Sequence, residues 1–90
     1  MNEVFEALAH PVRREILKLL RKRAMSAGEL AQHFTIAKPT LSGHFTVLKT
    51  ADLVTTERQG TTIIYRLNMS VMEEALAAFA ALAGLKGREK

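Results

Sequence analysis

The hydrophobic period of this chain changes twice. Apolar residues recur at helical spacing as far as about Ala51, alternate through a β-rich stretch from Val54 to Leu67, and return to helical spacing from Val71. The two periods put side chains on different faces, so one regular element cannot satisfy both. The chain is thereby committed to helices interrupted by one hairpin. Its 90 residues give one small domain, and 48% apolar content is enough for a packed core.

Turn signals divide the chain further. Val4 to Ala9 reads as a short helix that His10-Pro11 breaks, and Pro11 suits the first turn of the next helix, which runs to about Lys22 with Val12, Ile16, Leu19 and Leu20 on one face. Ser26-Ala27-Gly28-Glu29 has the form of a capping box and opens a third helix to about Phe34. Thr35-Ile36-Ala37 forms a tight turn. Pro39 then starts a fourth helix to about Ala51, with Leu41, Phe45 and Leu48 on its inner stripe. Val54–Arg58 and Thr62–Leu67 are paired strands, with Gln59-Gly60-Thr61 turning between them. Ser70-Val71-Met72-Glu73 is a second capping box, before a last helix to about Ala83. The order is four helices, two strands and a helix: a mainly α fold with a small β-hairpin. Two short helices about a tight turn, followed by a hairpin, form a winged helix-turn-helix. Residues 1–83 are expected to form this domain, and residues 84–90 a flexible basic tail.

The second helix of such a pair lies in the major groove and meets base edges with its N-terminal residues. With Leu41, Phe45 and Leu48 inward, Pro39, Thr40, Gly43 and Thr46 point away from the core. Ser42 and His44 take the flanks, and Lys38 precedes the helix. These are short donors and acceptors, and Gly43 permits close backbone approach. No carboxylate occurs from Leu30 to Ala51, as a surface facing phosphates requires. At the hairpin tip, Arg58 and Gln59 flank Gly60, with Thr61 behind, where a wing reaches a minor groove or phosphates. Thirteen Lys and Arg against nine Asp and Glu give +4, a mild bias towards nucleic acid. Arg13, Arg14, Lys18, Arg21, Lys22 and Arg23 read mostly as a solvated face that speeds association by long-range attraction.

The last helix is apolar nearly all round, with Val71, Met72, Ala75, Leu76, Ala78, Phe79, Leu82 and Ala83 and only Glu73 and Glu74 charged. One side covers its own domain. The other asks for a partner: a second copy, through Met72, Ala75, Leu76, Phe79 and Leu82 together with Phe5 and Leu8 of the first helix. Two-fold symmetry sets the two recognition helices about 34–36 Å apart on a near-palindrome.

Ala7-Leu8-Ala9-His10-Pro11-Val12-Arg13-Arg14-Glu15-Ile16-Leu17 resembles the opening signature of ArsR/SmtB-type repressors. Lys38-Pro39-Thr40-Leu41-Ser42-Gly43-His44-Phe45-Thr46-Val47-Leu48 looks like their helix-turn-helix, and Arg58-Gln59-Gly60 with Ile64-Tyr65-Arg66-Leu67 like their wing. Within that family the chain resembles most the short, metal-independent SdpR-like autorepressors. The resemblance implies a homodimeric repressor that leaves promoter DNA on receiving a signal, with base or phosphate contacts at Lys38, Thr40, Ser42, His44 and Arg58. The chain departs at Gly43-His44-Phe45, where the family often carries His-His-Leu. At Lys38 a cation stands for a commonly uncharged residue, which moves weight towards phosphate binding.

The absence of Cys excludes disulfides, thiolate metal sites and Cys nucleophiles, and fits a cytoplasmic protein. His10, His33 and His44 fall on different segments without ligand spacing, so neither metal nor cofactor is expected. No nucleophile–base pair or phosphate loop is present, and Ser42 and His44, two apart on one helix, cannot form a catalytic pair. The reading is a non-enzymatic, sequence-specific regulator of double-stranded operator DNA, without membrane insertion, answering to an unknown protein or small-molecule inducer. The alternative is a winged helix that binds protein and never DNA, which has no need of an acid-free recognition helix or a basic wing.

Overall fold

A computed structural model describes residues 1–85. Five helices and a three-stranded antiparallel sheet follow in the order α1 (Asn2–Leu8), α2 (Pro11–Lys22), β1 (Met25–Ser26), α3 (Ala27–Ala31), α4 (Lys38–Thr50), β2 (Val54–Gln59), β3 (Thr62–Leu67) and α5 (Met69–Leu82). The expected helices and hairpin are all present.

Local chemistry explains most boundaries. His10 is the N-cap of α2, its Nδ1 accepting from the Val12 N–H at 3.1 Å, and Pro11 occupies the first turn. The capping box at α3 closes in both directions: Ser26 Oγ accepts from the Glu29 N–H at 3.0 Å, and Glu29 accepts from the Ser26 N–H at 2.9 Å. That backbone donor, with nearby Arg23, holds the Glu29 carboxyl below its ordinary value against the opposing effect of desolvation. Helix α4 ends on a residue in the left-handed region, Asp52 at φ 60°. There the Asp52 N–H reaches the Lys49 carbonyl at 2.9 Å and the Leu53 N–H reaches that of Leu48 at 3.1 Å. This pairing satisfies the last carbonyls and drops Leu53 into the core.

Several boundaries differ from expectation. Helix α1 begins at Asn2 rather than Val4. Helix α3 stops at Ala31, and the chain reaches Phe34 through two tighter bonds, His33 N–H to Leu30 and Phe34 N–H to Ala31. Gln59 belongs to its strand and pairs with Thr62, leaving Gly60-Thr61 as a two-residue turn with Gly60 at φ 65°. The second capping box does not form: Asn68 is the N-cap of α5, without a side-chain bond, and Ser70 lies inside the helix. The Asn68 N–H is held by the Leu53 carbonyl at 2.9 Å, which starts the helix early. Strand β1 is an addition, pairing Met25 with Tyr65 and Ser26 with Ile64. Two residues show no period, so only β3 beside them reveals a strand. Of the expected tail, Gly84 (φ 77°) and Leu85 close the end of α5 just past its C-cap Ala83, their N–H groups reaching the Ala81 and Ala80 carbonyls, and residues 86–90 lie outside the described residues.

The core gathers one face from each helix: Val4 and Ala7 of α1, Ile16, Leu17 and Leu20 of α2, Leu30 of α3, Leu41, Phe45 and Leu48 of α4, and Ala75 of α5. Each buried Leu contributes about 1.5–3 kcal/mol of transfer free energy. Phe45 meets Tyr65 of β3 with ring centroids 4.8 Å apart. The recognition helix and the wing are thereby packed against one another.

Candidate nucleic-acid interface

Helix α4 is anchored by Leu41, His44, Phe45 and Leu48, one residue set at positions i, i+3, i+4 and i+7. Its opposite face is left to solvent: Lys38, Pro39, Thr40, Ser42, Gly43 and Thr46 are all exposed. A Cβ built on Gly43 meets nothing within 4 Å, so the backbone there is open to close approach. The N-cap Ala37 supplies no side-chain acceptor and the first turn carries no acid. The Lys38 and Thr40 N–H groups therefore have no intrahelical partner, and they add to the positive helix end. Thr46 is partly committed, since its hydroxyl donates to the Ser42 carbonyl at 3.1 Å.

The hairpin presents Arg58, Gln59, Gly60 and Thr61, all exposed. Glu57, the wing's carboxylate, is neutralised by Arg66 at 3.0 Å. Arg58 and Lys38 have no ion-pair partner among the described residues, so both positive charges remain uncompensated at short range. Fold and sequence thus put every outward residue expected at the DNA face on one of two exposed elements, with one exception.

His44 is that exception. It was expected on a flank of the DNA face, with a base or phosphate contact. Its side chain instead turns inward, 9% exposed. Its Nδ1 lies 3.1 Å from Nη1 of Arg13, and its ring centroid is 4.4 Å from that of His10. Burial, then the neighbouring His10 and Arg13, hold its pKa below the ordinary histidine value. A ring packed in this way supports α4 from behind. The signal was present in the sequence, because position 44 completes the inward set of Leu41, Phe45 and Leu48. Its polarity points outward, but its place in that set points inward. Arg13, among the cations expected mostly on a solvated face, is half-buried.

Away from α4 in sequence, Phe5, Leu8, Met72, Ala75, Leu76 and Phe79 line an open apolar groove of about 390 Å³. Leu76, Phe79 and Leu82 are 69%, 63% and 77% exposed. Ala75 differs from the others expected to face a partner, for it is buried within its own domain and forms the groove floor. Among the described residues there is no group of three His, Cys, Asp or Glu side chains that could hold a metal, and no helix long and apolar enough to cross a membrane.

Known proteins share this arrangement. A helix-turn-helix domain family model matches residues 8–57. The transcriptional repressor SdpR of Bacillus subtilis is 43% identical over 76 residues, covering 84% of each chain. An arsenical resistance operon repressor of Staphylococcus xylosus is 36% identical over 73 residues, covering 81% of this chain and 70% of its own. Among solved structures, an ArsR family transcriptional regulator superimposes with a TM-score of 0.85 at 28% identity, covering 93% of this chain and 92% of that one. Together with the exposed α4 face and the wing, these likenesses establish that the chain belongs to the ArsR/SmtB-type winged helix-turn-helix transcriptional regulators.

Proposed function

We propose that the protein is a sequence-specific, non-enzymatic DNA-binding repressor that acts as a homodimer. The observation that carries this reading is the outward face of α4: small polar side chains, an open Gly43 backbone and a free cation, without a carboxylate, on a helix whose other face is locked into the core. In the major groove, Thr40 and Ser42 have the reach to read base edges, and Thr46 sits one turn further along. Lys38 and the free N–H groups of the first turn meet phosphates. Arg58 and Gln59, carried by the Gly60-Thr61 turn, contact flanking DNA.

Dimerisation follows from the uncovered groove. Leu76, Phe79 and Leu82 of α5, with Phe5 and Leu8 of α1, form an apolar surface that a second copy covers across a two-fold axis. The radius of gyration is 14.4 Å, above the roughly 12 Å of a compact chain of this size. Such an elongated domain gains burial by pairing. The dimer then reads a near-palindrome with half-sites about 34–36 Å apart. Repression is supported by relatives that carry the name of repressor.

The test is fluorescence anisotropy with a duplex from the region upstream of the protein's own gene, against a shuffled duplex, at two salt concentrations. Specific binding about 10³-fold tighter than random is the expected result. Equal, steeply salt-dependent binding to both duplexes would mean that the operator lies elsewhere. Absence of binding at low salt would favour a protein-binding winged helix.

A further inference from the structure

One side chain links three helices. Arg13, on α2, donates from Nε to the Ala7 carbonyl at 2.9 Å and from Nη2 to the Glu6 carbonyl at 3.1 Å, both on α1. Its Nη1 reaches Nδ1 of His44, on α4, at 3.1 Å. Its neighbour Arg14 makes a single bond, to the Leu8 carbonyl, and stays exposed. Helix α1 also carries Phe5 and Leu8 of the apolar groove, so Arg13 ties the helix that lines that groove to the DNA-reading helix.

The chemistry of the contact fixes a protonation state. A guanidinium only donates, so Nδ1 of His44 must accept and the ring must be neutral, with its proton on Nε2. The titratable or charged side chains acting on the His44 ring are His10, from the α1–α2 junction, and Arg13, from α2; no carboxylate of α1 or β2 is among them. A proton added to His44 therefore lands on the atom facing Arg13 and turns a hydrogen bond into a repulsion. Gly43 and Ser42, the next residues along α4, belong to the exposed reading face.

We propose that Arg13 and His44 are positioning residues for the DNA-reading helix: the guanidinium fastens α4 to α1 through the neutral imidazole, and protonation of that imidazole releases the helix. This rests on the DNA-binding reading above. The sign follows from the depressed His44 pKa. The stabilisation is complete above the ordinary value of 6.5 and is lost as the pH falls through the lowered value.

The test takes duplexes selected from a random pool by the wild-type protein, and compares selected with shuffled DNA at pH about 7.5 and about 5.5. Wild-type preference should fall on acidification, by up to about tenfold as the imidazole takes up its proton, the scale of one lost charge-assisted hydrogen bond. His44→Asn keeps an acceptor near the Nδ1 position and cannot titrate, so it should retain preference at neutral pH and flatten the profile. His44→Leu should lose about tenfold at both pH values while circular dichroism stays native. Arg13→Met should match it; if that variant fails to fold, the His44→Asn profile still decides. A wild-type pH profile in His44→Asn, or full preference in His44→Leu, overturns the inference alone. A wild-type protein that selects no duplex even at neutral pH overturns the DNA reading beneath it.

Discussion

The outward faces of α4 and α5 lie on the same small domain and follow opposite rules. On α4 the exposed residues include Thr40, Ser42, Gly43 and Thr46, small and mostly polar, beside Lys38; on α5, next to exposed Glu73 and Glu74, they include the large apolar side chains Leu76, Phe79 and Leu82. The first set exchanges hydrogen bonds with water at little cost until a ligand offers better-placed partners. The second gains about 25 cal/mol for each Å² it removes from water, whatever the partner's detailed chemistry. One face is suited to discriminate and the other to adhere. They lie on different helices, so the proposed dimer would form through α5 rather than through the reading helix.

The largest effect should come from spoiling the adhesive face. Leu76→Glu with Phe79→Glu should leave a folded monomer in sedimentation, and operator affinity should fall about 10²-fold or more as the second half-site is lost. A dimer that survives both changes breaks the comparison. On the reading face, Ser42→Ala should cost about 1–3 kcal/mol with selected DNA and much less with random DNA, measured by anisotropy. Arg58→Ala should weaken both duplexes alike and reduce the slope of log affinity against log salt by about 1. An equal loss of specific and random binding in Ser42→Ala and Arg58→Ala would remove the distinction between helix and wing. The smallest effect lies outside both faces. Asp52→Gly relieves the left-handed residue that ends α4 and should raise stability by about 0.5–1 kcal/mol in urea denaturation. Dimerisation and DNA preference should stay unchanged.

Much of this was legible beforehand because local chemistry decides it. The Pro11 and Pro39 helix starts, the Ser26–Glu29 capping box and the hairpin about Gly60 depend on residues within a few positions of one another. What was missed depends on neighbours distant in sequence. Strand β1 exists only because β3 lies beside it. Ser70 and Glu73 have the spacing of a cap, yet the Leu53 carbonyl captures the Asn68 N–H and the helix begins earlier. His44 was placed by its polarity, but its burial is decided by Arg13, whose guanidinium supplies the partner that a buried imidazole needs.

By itself the sequence determined the order of elements, the acid-free stretch from Leu30 to Ala51 and the surplus of apolar residues on α5, since periodicity, capping and composition are properties of contiguous chain. Only the tertiary structure decided which polar residues face outward and which brace α4 from within, and that the exposed remainder of α5 meets α1 in one groove. Both depend on contacts between segments far apart in the chain, where a hydrogen-bond partner or an apolar neighbour fixes which way a side chain turns.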